Sequence, residues 1–145
     1  MSRDPRISRD EMFLQMAELV AKRSSCRRGS VGAIIVHESR PISMGYNGAP
    51  PNSPHCWELG CDTWENVHVE GCQRAIHAEA NSIAWAARFG VPTRSATMYS
   101  THSPCLDCSK LVVAAGIERF VYRIPYRAER LDILAEGRVE VVHLG

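Results

Sequence analysis

Two short clusters constrain this chain more than any other feature: His77-Ala78-Glu79 and Pro104-Cys105-Leu106-Asp107-Cys108. Each stands at the opening of a predicted helix. The first helix, over 76–89, is rich in alanine and is stopped by Gly90 and Pro92. The second, over 105–115, ends at Gly116. One predicted strand, over 96–101, separates them. A fold that uses both clusters together must bring two helix N-termini to one place.

The rest of the chain alternates in the same way. Ser8 and Glu11 form an S-x-x-E capping box that opens a helix over 8–23. Met12, Phe13, Met16, Leu19 and Val20 recur at helical spacing and are read as its apolar face. Residues 31–36 read as a buried strand, 37–40 as a turn and 42–46 as the antiparallel partner. Later come a strand over 120–122, a helix over 127–136 and a last strand over 139–142. Such alternation implies an α/β sandwich with a mostly parallel sheet. With no repeat or linker, 145 residues read as a single domain spanning 1–145. Residues 47–74 break the pattern: Gly, Pro and Asn, then three cysteines and two histidines without a period. A cysteine-rich loop that long is usually functional or needs a staple.

Composition excludes several classes of function. The net charge is +1, so the basic excess of a nucleic-acid-binding protein is missing, and no polymer partner is expected. Residues 1–11 are charged and carry no secretory apolar core. No run approaches the ~18 apolar residues of a membrane span. The chain therefore reads as cytoplasmic, where thiols stay reduced. Its six cysteines point to metal or catalysis more than to disulfides.

The two clusters together resemble the H-x-E … P-C-x-x-C signature of zinc-dependent deaminases. The physical basis can be rebuilt. Zinc takes nitrogen and sulfur ligands in a tetrahedral shell, and a catalytic site leaves the fourth position to water. His77, Cys105 and Cys108 supply such a set. Two residues between the cysteines put both sulfurs near one turn at a helix N-terminus, where free N–H groups favour thiolates. Pro104 fits just before it. Catalytic zinc lowers the pKa of its water toward about 7. Glu79, two residues past the histidine, is placed to carry protons to the pyrimidine N3 and to the departing amine.

Four cysteines remain: Cys26, Cys56, Cys61 and Cys72. That is the count for one closed structural zinc, which would staple the loop to the body of the domain. His55 and His68 compete for one of these positions, and buried free thiols or a chance Cys56–Cys61 pair are the alternatives.

Across 26–126 the chain resembles the deoxycytidylate deaminases of phage and bacterial type. The resemblance is carried by Val31-Gly32-Ala33-Ile34-Ile35-Val36, Gly45-Tyr46-Asn47-Gly48-Ala49-Pro50, His55-Cys56, Gly60-Cys61, Ile76-His77-Ala78-Glu79-Ala80-Asn81 and Thr101-His102-Ser103-Pro104-Cys105. It implies a three-layer α/β/α cytidine-deaminase-like sandwich with a five-stranded mixed sheet. It implies dCMP as substrate, dUMP and ammonia as products, and dUMP supply for thymidylate synthesis. Other cytosine nucleotides or nucleosides, 5-modified dCMP and a non-catalytic zinc nucleotide sensor stay open as alternatives. By the same resemblance Asn47 contacts the sugar hydroxyl, although Asn-Gly also makes tight turns. Backbone groups around Ala78 and Ser103 read the pyrimidine edge, and Tyr126 lies near the ligand or on the surface. Homo-oligomers (dimer or hexamer), dCTP and dTTP as effectors, and a regulatory role for Arg88 are further implications. The phosphate pocket is not located by the sequence. Arg27, Arg28, Arg123 and Arg127 are its candidates.

Overall fold

The computed structural model describes residues 3–26, 29–59 and 74–145. Within them the chain runs α1 (Arg9–Ala21), β1 (Gly32–His37), β2 (Arg40–Tyr46), α2 (Cys56–Leu59), α3 (Ala78–Arg88), β3 (Thr97–His102), α4 (Leu106–Ala114), β4 (Arg119–Ile124), α5 (Leu131–Glu136) and β5 (Glu140–His143). Cys61, Cys72, His68, Arg27 and Arg28 lie outside the described residues, as does most of the cysteine-rich loop.

The strands form one mixed sheet in the order β2-β1-β3-β4-β5. β1 pairs antiparallel with both β2 and β3, while β3–β4 and β4–β5 are parallel. The sheet is therefore less parallel than the alternation alone implies. The cause is the tight turn after His37, which folds β2 straight back on β1. Side chains alternate across β1 and split the core in two. Ala33 and Ile35 join Met98, Phe120 and Leu134 on one face, beneath α3, α4 and α5. Ile34 and Val36 join Tyr99 and Val121 on the other, beneath α1. The result is the α/β/α sandwich implied by the resemblance.

The first helix keeps its predicted start: Ser8 caps it and accepts a hydrogen bond from the Glu11 amide. The capping box is only half used, because the Glu11 carboxylate accepts from Gln15 and Arg123. The apolar face differs from the one read in the sequence. Phe13, Leu14, Ala17 and Ala21 are buried, whereas Met12, Met16 and Leu19 are exposed. Close approach to β1 decides which stripe turns inward. A Cβ on Gly32 would sit 2.1 Å from the Ala17 carbonyl oxygen, so the alanine side of the helix faces the sheet. The third helix is likewise seated on glycine: a Cβ at Gly45 would lie 2.6 Å from the Ala78 carbonyl oxygen.

Three boundaries move in ways that matter for the site. Ile76 is not helical; it pairs with Gly48 through two backbone hydrogen bonds, and α3 starts only at Ala78. Cys105 caps α4 instead of being its first residue. Residues 127–130, expected to begin a helix, belong instead to a loop over 125–130 pinned to the preceding motif by Arg130 N–H donating to the Pro104 carbonyl.

Ionic contacts fasten α1 to the sheet. Asp10 accepts two hydrogen bonds from Arg119, at 2.7 and 2.6 Å, and one from the Tyr99 hydroxyl at 2.6 Å. Arg119 holds the Asp10 carboxyl below the usual carboxylate range, and Tyr99 adds to this against the opposing effect of burial. Asp10→Asn should cost about 2 kcal/mol at pH 7, read from urea midpoints. A carboxyl depressed by folding stabilises above its unfolded pKa of about 3.9, and the effect fades as pH falls through the lower folded value. The gap between wild type and variant should therefore stay level down to about pH 5 and close below about pH 4.

Candidate metal centre and active-site cleft

One edge of the sheet gathers the chemistry. Register fixes this: Gly32 lies opposite Tyr46, Ala33 opposite Ser100, and His102 opposite Ile124. The start of β1 and the ends of β2, β3 and β4 therefore share an edge. A cleft of about 440 Å³ opens there. Gly29 and Val31 enter from before β1, Asn47 from after β2, His102 and Ser103 from the end of β3, and Tyr126 and Arg127 from after β4. Its floor is His77, Ala78, Glu79 and Cys105. A larger hollow of about 590 Å³ between β2 and α3 is lined by Met44, Trp85 and Phe89 and includes none of the His77, Cys105 or Cys108 cluster.

Both helices present an N-cap residue whose side chain makes no capping bond. His77 is extended, with φ −64° and ψ 149°, and its carbonyl accepts from Asn81 N–H. Cys105 is extended too, and its carbonyl accepts from Ser109 N–H. Each backbone starts its helix while the side chain points off the end. The His77 Nδ1 lies 3.4 Å from the Sγ atoms of both Cys105 and Cys108. The possible ligand atoms of all three residues fall within 4.8 Å of one another. That donor set, one imidazole and two sulfurs, fits a tetrahedral zinc site with one position open.

The protonation of the cluster supports this fit. Cys105 is pulled down to about 4, chiefly by the hydrogen bond from Cys108, with His77 helping and burial opposing. Cys108 is pushed up by that same bond and by burial. One proton is thus held between two sulfurs. The hydrogen bond with Cys105 raises His77 against burial, and the charge on Cys105 adds to this. A dication that takes both sulfurs must displace these protons, so binding is favoured as pH rises.

Glu79 is only 4 % exposed, which is costly for a carboxylate. Burial pushes its pKa up, opposed by a backbone hydrogen bond and by the charge of His77. The buried Ser100 hydroxyl donates to Glu79 Oε1 at 3.1 Å.

Other expected residues are placed as follows. Ala78 is buried in the floor. Asn47 lines the cleft, but its amide also braces the neighbouring backbone: Oδ1 accepts from Val31 N–H and Nδ2 donates to the Gly29 carbonyl. The Ser103 hydroxyl donates to Glu129 and accepts from Tyr126 N–H at 2.7 Å, which fixes Tyr126 at the cleft wall. Arg88 stacks its guanidinium over Trp85, at 4.7 Å from the ring centre. Arg123 does not face the cleft; it pairs with Glu11 and Glu18 on α1. Of the four cysteines expected to hold a second metal, Cys26 lines the cleft and Cys56 is buried. Contact between Ser25 Oγ and His55 Nδ1, at 3.1 Å, brings their neighbourhoods together.

Sequence reasoning missed Ser100 and His102. Ser100 was findable, because it stands two residues before His102 on a strand leading into the cysteine motif. Period-two alternation puts it on the core face beside Glu79.

Comparison with known proteins agrees with this geometry. Residues 7–124 match the family model described as the cytidine and deoxycytidylate deaminase zinc-binding region. The chain belongs to the cytidine and deoxycytidylate deaminase family. It is 43 % identical over 143 residues to ComE operon protein 2 of Bacillus subtilis, covering 96 % of this chain and 74 % of that one. It is 40 % identical over 120 residues to the deoxycytidylate deaminase of Mycobacterium phage D29, covering 78 % of this chain and 92 % of the relative. The dCMP deaminase of cyanophage S-TIM5, solved with dCMP and dUMP, superposes with a TM-score of 0.83 at 31 % identity. That match covers 99 % of this chain and 100 % of the phage chain. Among the described residues no helix is long and apolar enough to cross a membrane.

The cluster geometry predicts cobalt(II) binding with the intense near-ultraviolet absorption of thiolate ligation. Cys105→Ser and Cys108→Ser should each weaken that binding about tenfold or more, and an unchanged titration would remove the sulfurs from the centre.

Proposed function

We propose that this protein hydrolyses dCMP to dUMP with release of ammonia, supplying dUMP for thymidylate synthesis. The observation that carries the reading is the meeting of His77, Cys105 and Cys108 beside a buried Glu79 in one cleft, in a chain of this family. The phage relatives named deoxycytidylate deaminase support dCMP in particular.

His77, Cys105 and Cys108 would hold zinc. When bound, zinc supplies Lewis acidity that makes water nucleophilic at neutral pH. The chain's own residues do the rest. Glu79 moves protons: it takes one from the attacking water and delivers it to N3 of the pyrimidine, then takes the second from the new C4 hydroxyl and delivers it to the amine leaving C4 as the carbonyl forms. Its raised pKa suits a group that must take up a proton as well as give one back. Ser100 keeps one carboxyl oxygen in place during both transfers. The backbone around Ala78 and Ser103 reads the pyrimidine edge. Asn47 contacts the sugar with the amide valences left over after Gly29 and Val31. Tyr126 closes the side wall.

The reading extends to a second, structural zinc on Cys26, Cys56, Cys61 and Cys72. The approach of the Ser25 and His55 neighbourhoods supports it. It extends also to a cytoplasmic location, read from the composition, and, from the family resemblance, to a homo-oligomer responsive to dCTP and dTTP.

Ammonia release from dCMP, CMP, cytidine and 5-methyl-dCMP, with metal counted on the same sample, tests the substrate. dCMP should lead, and preference for cytidine would overturn the assignment. Glu79→Gln should keep its zinc and lose at least about a thousandfold in kcat; near-normal turnover would remove Glu79 from the chemistry. Cys72→Ser should lower the metal count from two ions to one, and an unchanged count would reject the staple.

A further inference from the structure

We propose that His102 and Arg127 form the 5′-phosphate end of the cleft. The proposal rests on the nucleotide reading above and assigns a subsite which that reading leaves open.

A buried hydroxyl sets the tautomer of His102. Thr101 is 4 % exposed, and its Oγ1 accepts the Gly32 amide at 3.2 Å. Its own hydrogen needs an acceptor, and His102 Nδ1 lies 2.8 Å away. Thr101 therefore donates to Nδ1, and the neutral ring carries its hydrogen on Nε2. Burial lowers the pKa of His102, in keeping with a neutral ring. His102 lines the cleft, so it offers an N–H donor held in one tautomer by its neighbour.

Several other polar side chains of the cleft are already engaged. The Ser103 hydroxyl both donates, to Glu129, and accepts, from Tyr126. Asn47 spends its carbonyl and one N–H on backbone. His77 and Cys105 belong to the metal cluster. Glu79 is acidic and would repel a phosphate. An anion is better served at the opposite wall, where β3 and β4 end side by side. There His102 stands opposite Ile124 in register, and three residues on, the loop brings Arg127 to the cleft. A guanidinium carries five N–H donors, so it can serve a phosphate together with another partner. The remaining described candidate from the sequence, Arg123, is turned to the other face of the sheet by Glu11 and Glu18.

The test is calorimetric binding of dUMP and 2′-deoxyuridine to the zinc-loaded wild type, His102→Phe, His102→Gln and Arg127→Gln. Ammonia release from dCMP is read on the same samples. Wild type should prefer dUMP. His102→Phe and Arg127→Gln should each lose dUMP affinity about tenfold or more, with deoxyuridine binding unchanged. His102→Gln, which restores an N–H donor, should recover part of the loss. Equal losses for nucleotide and nucleoside, or no loss in either variant, would overturn the subsite. A wild type that prefers dUMP through these residues yet releases no ammonia would strike the deaminase reading while supporting the phosphate end.

Discussion

Two helix N-termini must meet at one point, and most of the structure follows from that constraint. A metal bound by His77, Cys105 and Cys108 needs α3 and α4 to begin at the same sheet edge. The antiparallel β1–β2 hairpin makes this possible, because it leaves β2 running in the same direction as β3. The helices that follow these strands then start side by side. Glycine sets the depth of α3: without a Cβ on Gly45, the Ala78 carbonyl can press against β2. The Gly48–Ile76 bridge holds the chain extended up to His77, so the imidazole leaves the helix end instead of lying along its side.

This geometry also sorts the titratable groups. Free N–H groups and the positive ends of two helix dipoles surround the cluster and favour negative sulfur. Glu79, one residue into its helix, is turned down into the core and loses water. Two residues on one short segment therefore experience opposite environments. His77 stands at the helix end, where it would serve as a ligand, and Glu79 sits in a dry pocket where a proton is easier to hold. The separation of the proposed metal ligand from the proposed proton carrier is a consequence of where the helix begins.

The opposite face of the sheet supplies rigidity. Arg119, Val121 and Arg123 alternate along β4 and face α1, while Phe120 and Tyr122 face the other core. Arg119 binds Asp10, and Arg123 binds Glu11 and Glu18. The arginines around residue 123 thus divide their work by whether they lie within the strand or beyond it. Arg123 anchors α1, and Arg127, beyond the strand, reaches the cleft. Charge alone does not separate them; place in the fold does.

The same distinction explains what the sequence made legible. His77, Glu79, Cys105 and Cys108 stood out because zinc chemistry needs those residue types at short spacings, and short spacings survive in a linear reading. The sandwich followed from the alternation of periods. The apolar face of α1 did not, since Met12, Met16 and Leu19 make as good a stripe as Phe13, Leu14 and Ala17. Only contact with Gly32 breaks the tie. Asn47 looked like a ligand contact or a turn residue, and its amide also proves to be a brace between two backbone segments that are remote in sequence. Ser100 and His102 take their meaning from partners 21 residues away or across a strand pair. Through-space register gives such residues a role, and a pattern read along the chain carries no term for it. Function in this cleft is therefore written at two ranges: the metal cluster in local spacing, and the surroundings that tune it in the pairing of strands.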